Sequence, residues 1–298
     1  MPDIKIDISR DEITIDGVVY DIEREDDRGH PETTLKVRDF DVEADDWIYP
    51  FDGLEATLGY EEYAEDLNPR SNYSNVGMMF CDYRGYNLGD EDAADPRDQT
   101  TECPDCDGSG EIEGLTEIPG EADTCARCEG LGEIDLDMAE YLRKEHGARV
   151  VMPLYVYEHS GITMRAGAPV RTNVTKDDVR SSGRFVGDDA GWDTSMVGFI
   201  YDTPEQVKEC IGEDATDEQI EACLKGEVQT YASYLEGDIA YYSIYDTETD
   251  YTDGCTGFIG DSDGCEQQCF EGLAQAIVKR LDEIKERAEM AARDIITI

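Results

Sequence analysis

Apolar and polar residues alternate along the first part of the chain. Isoleucine recurs at every second position from Ile4 to Ile8 and again at Ile13 and Ile15. A period of two is typical of strands that bury one face, and the pair Asp16-Gly17 is typical of a tight hairpin turn. The pattern therefore predicts antiparallel strands within residues 3–24.

Short apolar runs and segments with a helical period are interspersed along the rest of the chain. Runs bounded by turn residues predict strands, and hydroxyl N-caps ahead of periodic segments predict helices. Strands are predicted at 34–41, 76–83, 150–157, 195–201 and 239–245. Helices are predicted at 53–67, at 136–146, from Thr203, from Thr216 to 235, and at 266–293. Turns are predicted at Asp253-Gly254 and Asp263-Gly264.

The last predicted helix carries an apolar stripe, which predicts that it packs on a sheet. The stripe consists of Leu273, Ile277, Leu281, Ile284, Ala288 and Ala291. Strands and helices without strict alternation indicate an α+β fold, with a mixed or antiparallel sheet, packing helices and an inserted zinc-knuckle hairpin. We expect residues 1–98 to form the β-rich first part of the main domain, 99–135 the zinc-binding module, and 136–298 the remainder with its long C-terminal helix.

The charge of the chain changes the picture of its surroundings. Asp and Glu number 72 against 25 Lys and Arg, a formal net charge of −47, and the acidic residues are spread along the whole chain. Such a surface repels itself at ordinary salt, whereas multimolar salt shortens the Debye length to roughly 3 Å or less. The composition resembles that of proteins from extremely halophilic archaea or their viruses. The alternative interpretation is mimicry of DNA phosphates by a defence-evasion protein.

The same charge excludes one class of partner and favours another. No dense Lys/Arg run is present to neutralise a nucleic-acid backbone, so we expect a protein partner rather than nucleic acid. The N-terminus lacks the basic start and apolar run of a signal peptide, and no stretch approaches the ~20 apolar residues of a membrane span. We therefore expect a cytoplasmic protein of a halophilic archaeal host, with a virion component as the alternative, and cysteines that are reduced or metal-bound.

Four cysteines carry the strongest chemical signal. Cys103-Pro104-Asp105-Cys106-Asp107-Gly108-Ser109-Gly110 recurs as Cys125-Ala126-Arg127-Cys128-Glu129-Gly130-Leu131-Gly132. Two residues between thiols let one turn present both sulfurs to the same ion, and two such pairs complete a closed tetrahedral site. The glycines allow the positive φ of a knuckle turn. We predict that Cys103, Cys106, Cys125 and Cys128 bind one structural zinc ion.

This segment resembles the cysteine-rich repeats of DnaJ-type co-chaperones, whose C-x-x-C-x-G-x-G units build zinc hairpins that handle unfolded clients. The resemblance covers about thirty residues. The chain has two repeats where the family has four, and the His-Pro-Asp tripeptide of a J-domain is missing. Co-chaperone function is therefore not expected, and the module is interpreted as a rigid staple that can also offer a docking surface.

A second resemblance spans residues 68–260 outside the cysteine segment. It is to an uncharacterised family encoded by tailed viruses, plasmids and other mobile elements, and it implies a mobile-element origin without an activity. The cysteine module and the acidic N-terminal hairpin look like insertions relative to that family. The segments that carry the resemblance are 68–70, 77–81, 86–90, 153–155, 159–164, 197–201, 226–228, Tyr231, 234–237 and 255–260.

Weaker constellations suggest enzyme chemistry or further metal sites. Cys81 and His159 could form a nucleophile–base pair, with Asp90 or Asp193 orienting the imidazole. Otherwise His159 is an ordinary turn histidine. Cys255, Cys265 and Cys269 could bind a second metal with His159 or Cys81, or could be buried core residues. Asp188, Asp189 and Asp193 could hold magnesium, although single acidic clusters mean little in so acidic a chain.

The chain lacks the common motifs of ATPases, dehydrogenases, metalloproteases and α/β-hydrolases. We therefore expect a zinc-binding accessory protein of a haloarchaeal virus or plasmid that acts by binding. A defence-evasion DNA mimic, a virion component and a Cys/His-dependent enzyme are the alternatives.

Overall fold

Antiparallel strand pairing organises the chain. The computed structural model describes residues 5–9, 11–26, 32–41, 46–61, 65–94, 100–113, 122–135, 137–159, 161–170, 185 and 193–296. The chain divides into two units. The first combines Met1–Leu67 with Gly237–Ile298, and the second is Asn68–Glu236. Both contain antiparallel sheets and helices, which confirms the predicted α+β class.

The strands, in chain order, are β1 (Ile6–Ile8), β2 (Glu12–Ile15), β3 (Val18–Asp26), β4 (Thr33–Asp41), β5 (Asp46–Ile48), β6 (Leu54–Tyr60), β7 (Gly77–Cys81), β8 (Thr100–Glu102), β9 (Glu111–Glu113), β10 (Ala122–Thr124), β11 (Glu133–Asp135), β12 (Val151–Glu158), β13 (Ile162–Ala166), β14 (Thr194–Asp202), β15 (Ile239–Asp246) and β16 (Tyr251–Ile259). The helices are α1 (Pro69–Asn72), α2 (Met138–His146), α3 (Pro204–Cys210), α4 (Asp217–Glu236) and α5 (Ser262–Ile296), with a 3-10 turn at Glu65–Leu67.

The first unit is one curled antiparallel sheet covered by α5. Its strand order is β1-β2-β3-β4-β6-β15-β16, with β5 on β4. The period of two is confirmed in β2 and β3, where Ile13, Ile15, Tyr20 and Ile22 are buried, but not in β1, whose residues are all exposed. Asp16 and Gly17 form the predicted turn with φ of 48° and 86°. The core joins the sheet to the first half of α5 through residues that include Ile13, Ile22, Leu35, Ala56, Ile244, Phe270, Leu273 and Ile277.

The C-terminal helix follows its predicted stripe for only part of its length. Leu273 and Ile277 are fully buried, and Leu281 packs against the core. Beyond Leu281, Ile284 is 49% exposed and Ala288 is exposed as well. The packing of the stripe on the sheet is therefore confirmed for its first half alone.

The second unit is built on the four-stranded antiparallel sheet β13-β12-β14-β7. Strand β12 is apolar without alternation because both of its faces are covered. Met152, Leu154 and Val156 share a core with α4, whereas Val151 shares a second core with Leu142 of α2. Helix α2 ends at Gly147, as predicted, and Gly147 adopts the left-handed conformation (φ 68°).

Three sequence-based predictions of local structure are wrong. Residues 54–60 form a strand and not a helix, because β4 and β15 hydrogen-bond to its two sides. Asp253-Gly254 lies within β16, and Asp263-Gly264 lies in the first turn of α5, where the Gly264 N–H donates to Asp261 Oδ1 at 3.1 Å. Strand β13 was not predicted. Across the described ranges, no helix combines the length and the hydropathy that a bilayer span requires.

Candidate metal centre

The two cysteine repeats form two matching turns, and the strands that flank one turn pair with the strands that flank the other. Strand β8 leads into the first turn and β9 leaves it, while β10 leads into the second turn and β11 leaves it. Strand β8 pairs with β11, and β9 pairs with β10. Each turn is thus flanked by strands bonded to the other turn, which holds the two cysteine pairs face to face.

Glycine permits the close approach of the two turns. The Cys103 N–H donates to the Gly132 carbonyl, and the Cys125 N–H donates to the Gly110 carbonyl, both at 2.8 Å. A Cβ on Gly132 would lie 2.3 Å from the Gly108 oxygen, a distance that real Cβ atoms do not adopt. Gly132 also has a positive φ of 77°. The second glycine of each repeat is therefore required by both conformation and space.

The four thiols converge on one point. Their Sγ atoms all lie within 4.8 Å of one another, and the pairs Cys103–Cys125 and Cys106–Cys128 are each 3.7 Å apart. A tetrahedron with metal–sulfur bonds of about 2.3 Å has sulfur–sulfur edges of about 3.8 Å. The four cysteines are almost inaccessible, Cys106 being the most exposed at 9%. The structure therefore brings the predicted ligands together with room for one metal ion.

Backbone N–H groups favour the negative charge that a metal thiolate carries. The Gly110 N–H donates to Cys106 Sγ at 3.2 Å, and the Gly132 N–H donates to Cys128 Sγ at 3.3 Å. Burial disfavours ionisation of Cys128, but the N–H groups of Gly132 and Gly130, together with hydrogen bonds to Cys125 and Cys106, outweigh it and lower the pKa to about 7. Burial raises the pKa of Cys103 to about 11. An ion bound by all four cysteines would have no coordination position left for a substrate, which is typical of structural sites.

The outer surfaces of the two turns differ. Leu131, between the glycines of the second turn, is 81% exposed. The equivalent residue of the first turn is Ser109, whose hydroxyl lies 2.7 Å from the Cys106 carbonyl and 2.8 Å from the Glu111 carbonyl and can donate its one proton to either. The second turn therefore presents an apolar side chain to solvent where the first presents a satisfied polar one.

The suggested nucleophile and base lie apart in the second unit. Cys81 on β7 pairs with Gly198, which pairs with Leu154 on β12. His159 lies five residues beyond Leu154, roughly 16 Å along the strand. Burial, followed by the charge of Asp90, raises the pKa of Cys81 to about 12, which keeps this thiol protonated. His159 Nδ1 lies 3.4 Å from Asp193 Oδ2, so Asp193 does contact the imidazole, as suggested, but on an exposed surface.

The other suggested metal ligands are dispersed. Within the described residues, the four cysteines of the two turns are the one group of three or more His, Cys, Asp or Glu side chains close enough to share an ion. Cys265 and Cys269 are buried in the core of the first unit, and Cys255 is exposed. Asp188 and Asp189 lie outside the described residues.

A buried ionic network that the sequence did not suggest closes the free edge of β7. Arg70 binds both oxygens of Asp90 (2.9 and 2.7 Å), one oxygen of Glu227 (2.9 Å) and the Gly77 carbonyl (2.5 Å). Asp90 accepts from the Met79 N–H at 2.7 Å, and Glu227 accepts from the Gly77 N–H. These side chains satisfy the backbone groups of an edge strand, which blocks the addition of another strand. Arg70, Asp90 and Glu227 all lie in segments that carry the second resemblance (68–70, 86–90 and 226–228), but their residue types alone do not indicate that they meet.

Comparisons with family models, curated proteins and solved structures find no match for this chain.

Proposed function

We propose that this chain is a zinc-binding accessory protein of a haloarchaeal virus or plasmid, and that it acts by binding another protein through its cysteine module. The observation that carries the proposal is Leu131, a leucine held 81% exposed on a rigid turn beside a closed metal site. A metal site that cannot bind substrate and an apolar contact point next to it favour recognition over catalysis.

Zinc is the metal that this ligand set favours. Four thiolates at tetrahedral spacing suit Zn²⁺, and a soft ligand set gives no advantage to the potassium and sodium of brine. Iron also binds four thiolates. Metal analysis of the purified protein should give one zinc per chain, and a red, iron-containing protein would contradict the assignment.

The difference between the two turns favours contact of a partner with the second turn rather than the first. Ser109 uses its hydroxyl within its own turn, whereas Leu131 has no role in the core. An exposed leucine on a backbone fixed by metal and glycines loses little conformational entropy when it binds. A partner with a small apolar pocket would therefore gain affinity from this residue, and the metal would contribute by keeping the turn rigid.

The charge and the second resemblance support the proposed setting. A formal charge of −47 spread along the chain suits the cytoplasm of a salt-accumulating host, and segments in 68–260 resemble a mobile-element family. The same charge repels nucleic-acid phosphates, which favours a protein as the partner.

The test compares partner capture by four forms of the protein from haloarchaeal lysate at native salt. Leu131→Ser gives the second turn the residue of the first, and chelator-treated protein lacks the metal. Met290→Ser is the matched control, because it removes another exposed apolar side chain (58%) from the first unit. We expect quantitative mass spectrometry to find partners with wild type and Met290→Ser that are lost with the other two forms.

Two results would contradict the proposal. The Leu131→Ser protein could capture the same partners as wild type, in which case the module is a staple alone. Purified protein could instead bind duplex DNA in multimolar KCl, in which case the partner is a nucleic acid.

A further inference from the structure

A polar cleft in the second unit lies next to the Arg70 network. It encloses about 410 Å³, within the ~300–1,000 Å³ range of small-molecule sites. Two neighbouring stretches, Asn68 to Met78 and Asn87 to Asp92, meet Gln206 there, which lies far along the chain. Asn68, Arg70 and Asn87 to Asp90 belong to the segments that carry the mobile-element resemblance.

The floor of the cleft is a fixed scaffold. Arg70 and Asp90 are only 3% and 10% exposed at their side chains, and Arg70 is bound by Asp90, Glu227 and the Gly77 carbonyl. The backbone of β7 at Gly77 and Met79 is bonded to the same network. A peptide therefore cannot bind here by adding a strand to this edge.

The walls offer neutral hydrogen-bonding groups. Asn68 uses its Oδ1 to accept from the Arg70 N–H, which leaves its amide N–H₂ as a donor. Asn75 donates through its Nδ2 to the carbonyls of Pro69 and Tyr73, which leaves its Oδ1 as an acceptor. Asn87 lines the cleft and is exposed, so it offers both a donor and an acceptor. Tyr73, 50% exposed, adds an aromatic face and a hydroxyl.

The charge and the polarity of the cleft each exclude one class of ligand. Arg70 is the one cation in the lining, and two carboxylates neutralise it. Glu91 and Asp92 also line the cleft, so phosphates and carboxylates would be repelled. Apart from Met78 and the ring of Tyr73, the side chains of the lining are polar, so a large apolar ligand would leave their polar groups unsatisfied. The ligand must be hydrophilic, rich in paired donors and acceptors, and neutral or cationic.

We propose that this cleft binds a polyhydroxylated ligand, a neutral or amino sugar, with Asn68, Asn75 and Asn87 bonding its hydroxyls and Tyr73 stacking on one face of its ring. A hydroxyl both donates and accepts, which matches the mixture of free amide donors and acceptors. Recognition by neutral hydrogen bonds also persists at high salt, where charge attraction is screened. This inference does not depend on the cysteine module.

The test is titration of the full chain in multimolar KCl, followed by saturation-transfer NMR. The probes are methyl glucoside, N-acetylglucosamine, glucosamine, glucose 6-phosphate and a short lysine-rich peptide. We expect saturable binding of at least one neutral or amino sugar, with glucose 6-phosphate binding more weakly than the neutral sugar. Asn87→Ala and Tyr73→Ala should each weaken binding about fivefold or more, as expected for one lost contact.

Tyr245→Ala is the matched control, since Tyr245 is a similarly exposed tyrosine (52%) in the first unit, and it should leave binding unchanged. Circular dichroism of each variant verifies that it is folded. The proposal is overturned if no sugar binds saturably, if the two cleft variants bind as tightly as Tyr245→Ala, or if the lysine-rich peptide binds and the sugars do not.

Discussion

Asp202 is a fully buried carboxylate whose two oxygens differ in their hydrogen bonding. Oδ1 accepts from the N–H groups of Arg149 (2.9 Å) and Val150 (2.7 Å), which ties the end of β14 to the start of β12. Oδ2 has no hydrogen-bond partner in the described part of the chain. Burial raises the pKa of Asp202, and the two backbone N–H groups offset this only in part.

The raised pKa gives a prediction with a definite sign. A carboxyl whose pKa is higher in the folded than in the unfolded chain stabilises the fold at low pH and loses that contribution as pH rises through the folded pKa. Asp202→Asn keeps the Oδ1 acceptor and removes the buried charge. At neutral pH we expect the free energy of unfolding of the variant to be about 1 kcal/mol higher than that of wild type, because the variant is more stable. The difference should shrink as pH falls below the folded pKa of Asp202 and vanish below the pKa of an unfolded aspartate, as followed by urea unfolding in multimolar KCl.

Any Asp→Asn change also lowers the charge of so acidic a chain, so a control is needed. Asp214 is exposed, and Asp214→Asn removes the same charge from the surface. A stabilisation of equal size in both variants would show that overall repulsion, and not burial of Asp202, is the cause.

Single residues also mark where sequence reasoning fails. The spacing of Cys103, Cys106, Cys125 and Cys128 specifies a site because the chemistry is local and the glycines are part of the motif. A Cys81–His159 pair depends on the order and register of three strands, which neither residue type reveals. Arg70 likewise acquires its partners, Asp90 and Glu227, only through the assembled second unit.

The second cysteine turn is the element whose conformation depends most directly on its local sequence. Gly132 combines a φ of 77° with the approach to the Gly108 carbonyl, so Gly132→Ala should suffer both backbone strain and a clash. We expect the variant to lose most of its bound metal, as measured by metal analysis after dialysis against a weak chelator. The metal-linked thermal transition should disappear with it.

Gly85→Ala separates strain from the clash. Gly85 has a φ of 83°, close to that of Gly132, but a Cβ there would meet no atom within 4 Å. This variant should lose only about 1–2 kcal/mol of stability and retain its metal. Equal metal loss in both variants would mean that the close approach of the two turns does not matter.

Strands were predictable to the extent that their burial is periodic or complete. Strands β2, β3 and β12 were predicted because apolar residues alternate or run together. The acidic segment 53–67, which precedes the breaker Asn68-Pro69, predicts a short helix, whereas residues 54–60 form a strand. Their strand conformation comes from pairing with β4 and β15, and the second of these lies far along the chain. Local composition carries no information about such a partner.

At the scale of the whole molecule, the chain completes its first unit only after making the second. It leaves the first unit after Leu67 and returns at Gly237. The pairing of β6 with β15 closes this long excursion, and its cost in loop-closure entropy grows only slowly with length. No composition shift marks either boundary, since both units are acidic, and the sequence therefore predicted one interrupted domain.

The charge of the whole chain gives the last prediction. With a net charge of −47, repulsion should destabilise the folded state at low ionic strength. The Debye length falls from ~10 Å at 0.1 M to roughly 3 Å at 1 M, so screening should be nearly complete by about 1 M KCl. We expect the thermal unfolding midpoint to rise steeply below that concentration and slowly above it. A general salting-out effect would instead give a steady rise that continues in multimolar KCl. A midpoint independent of salt would contradict both the halophilic interpretation and the setting proposed for this protein.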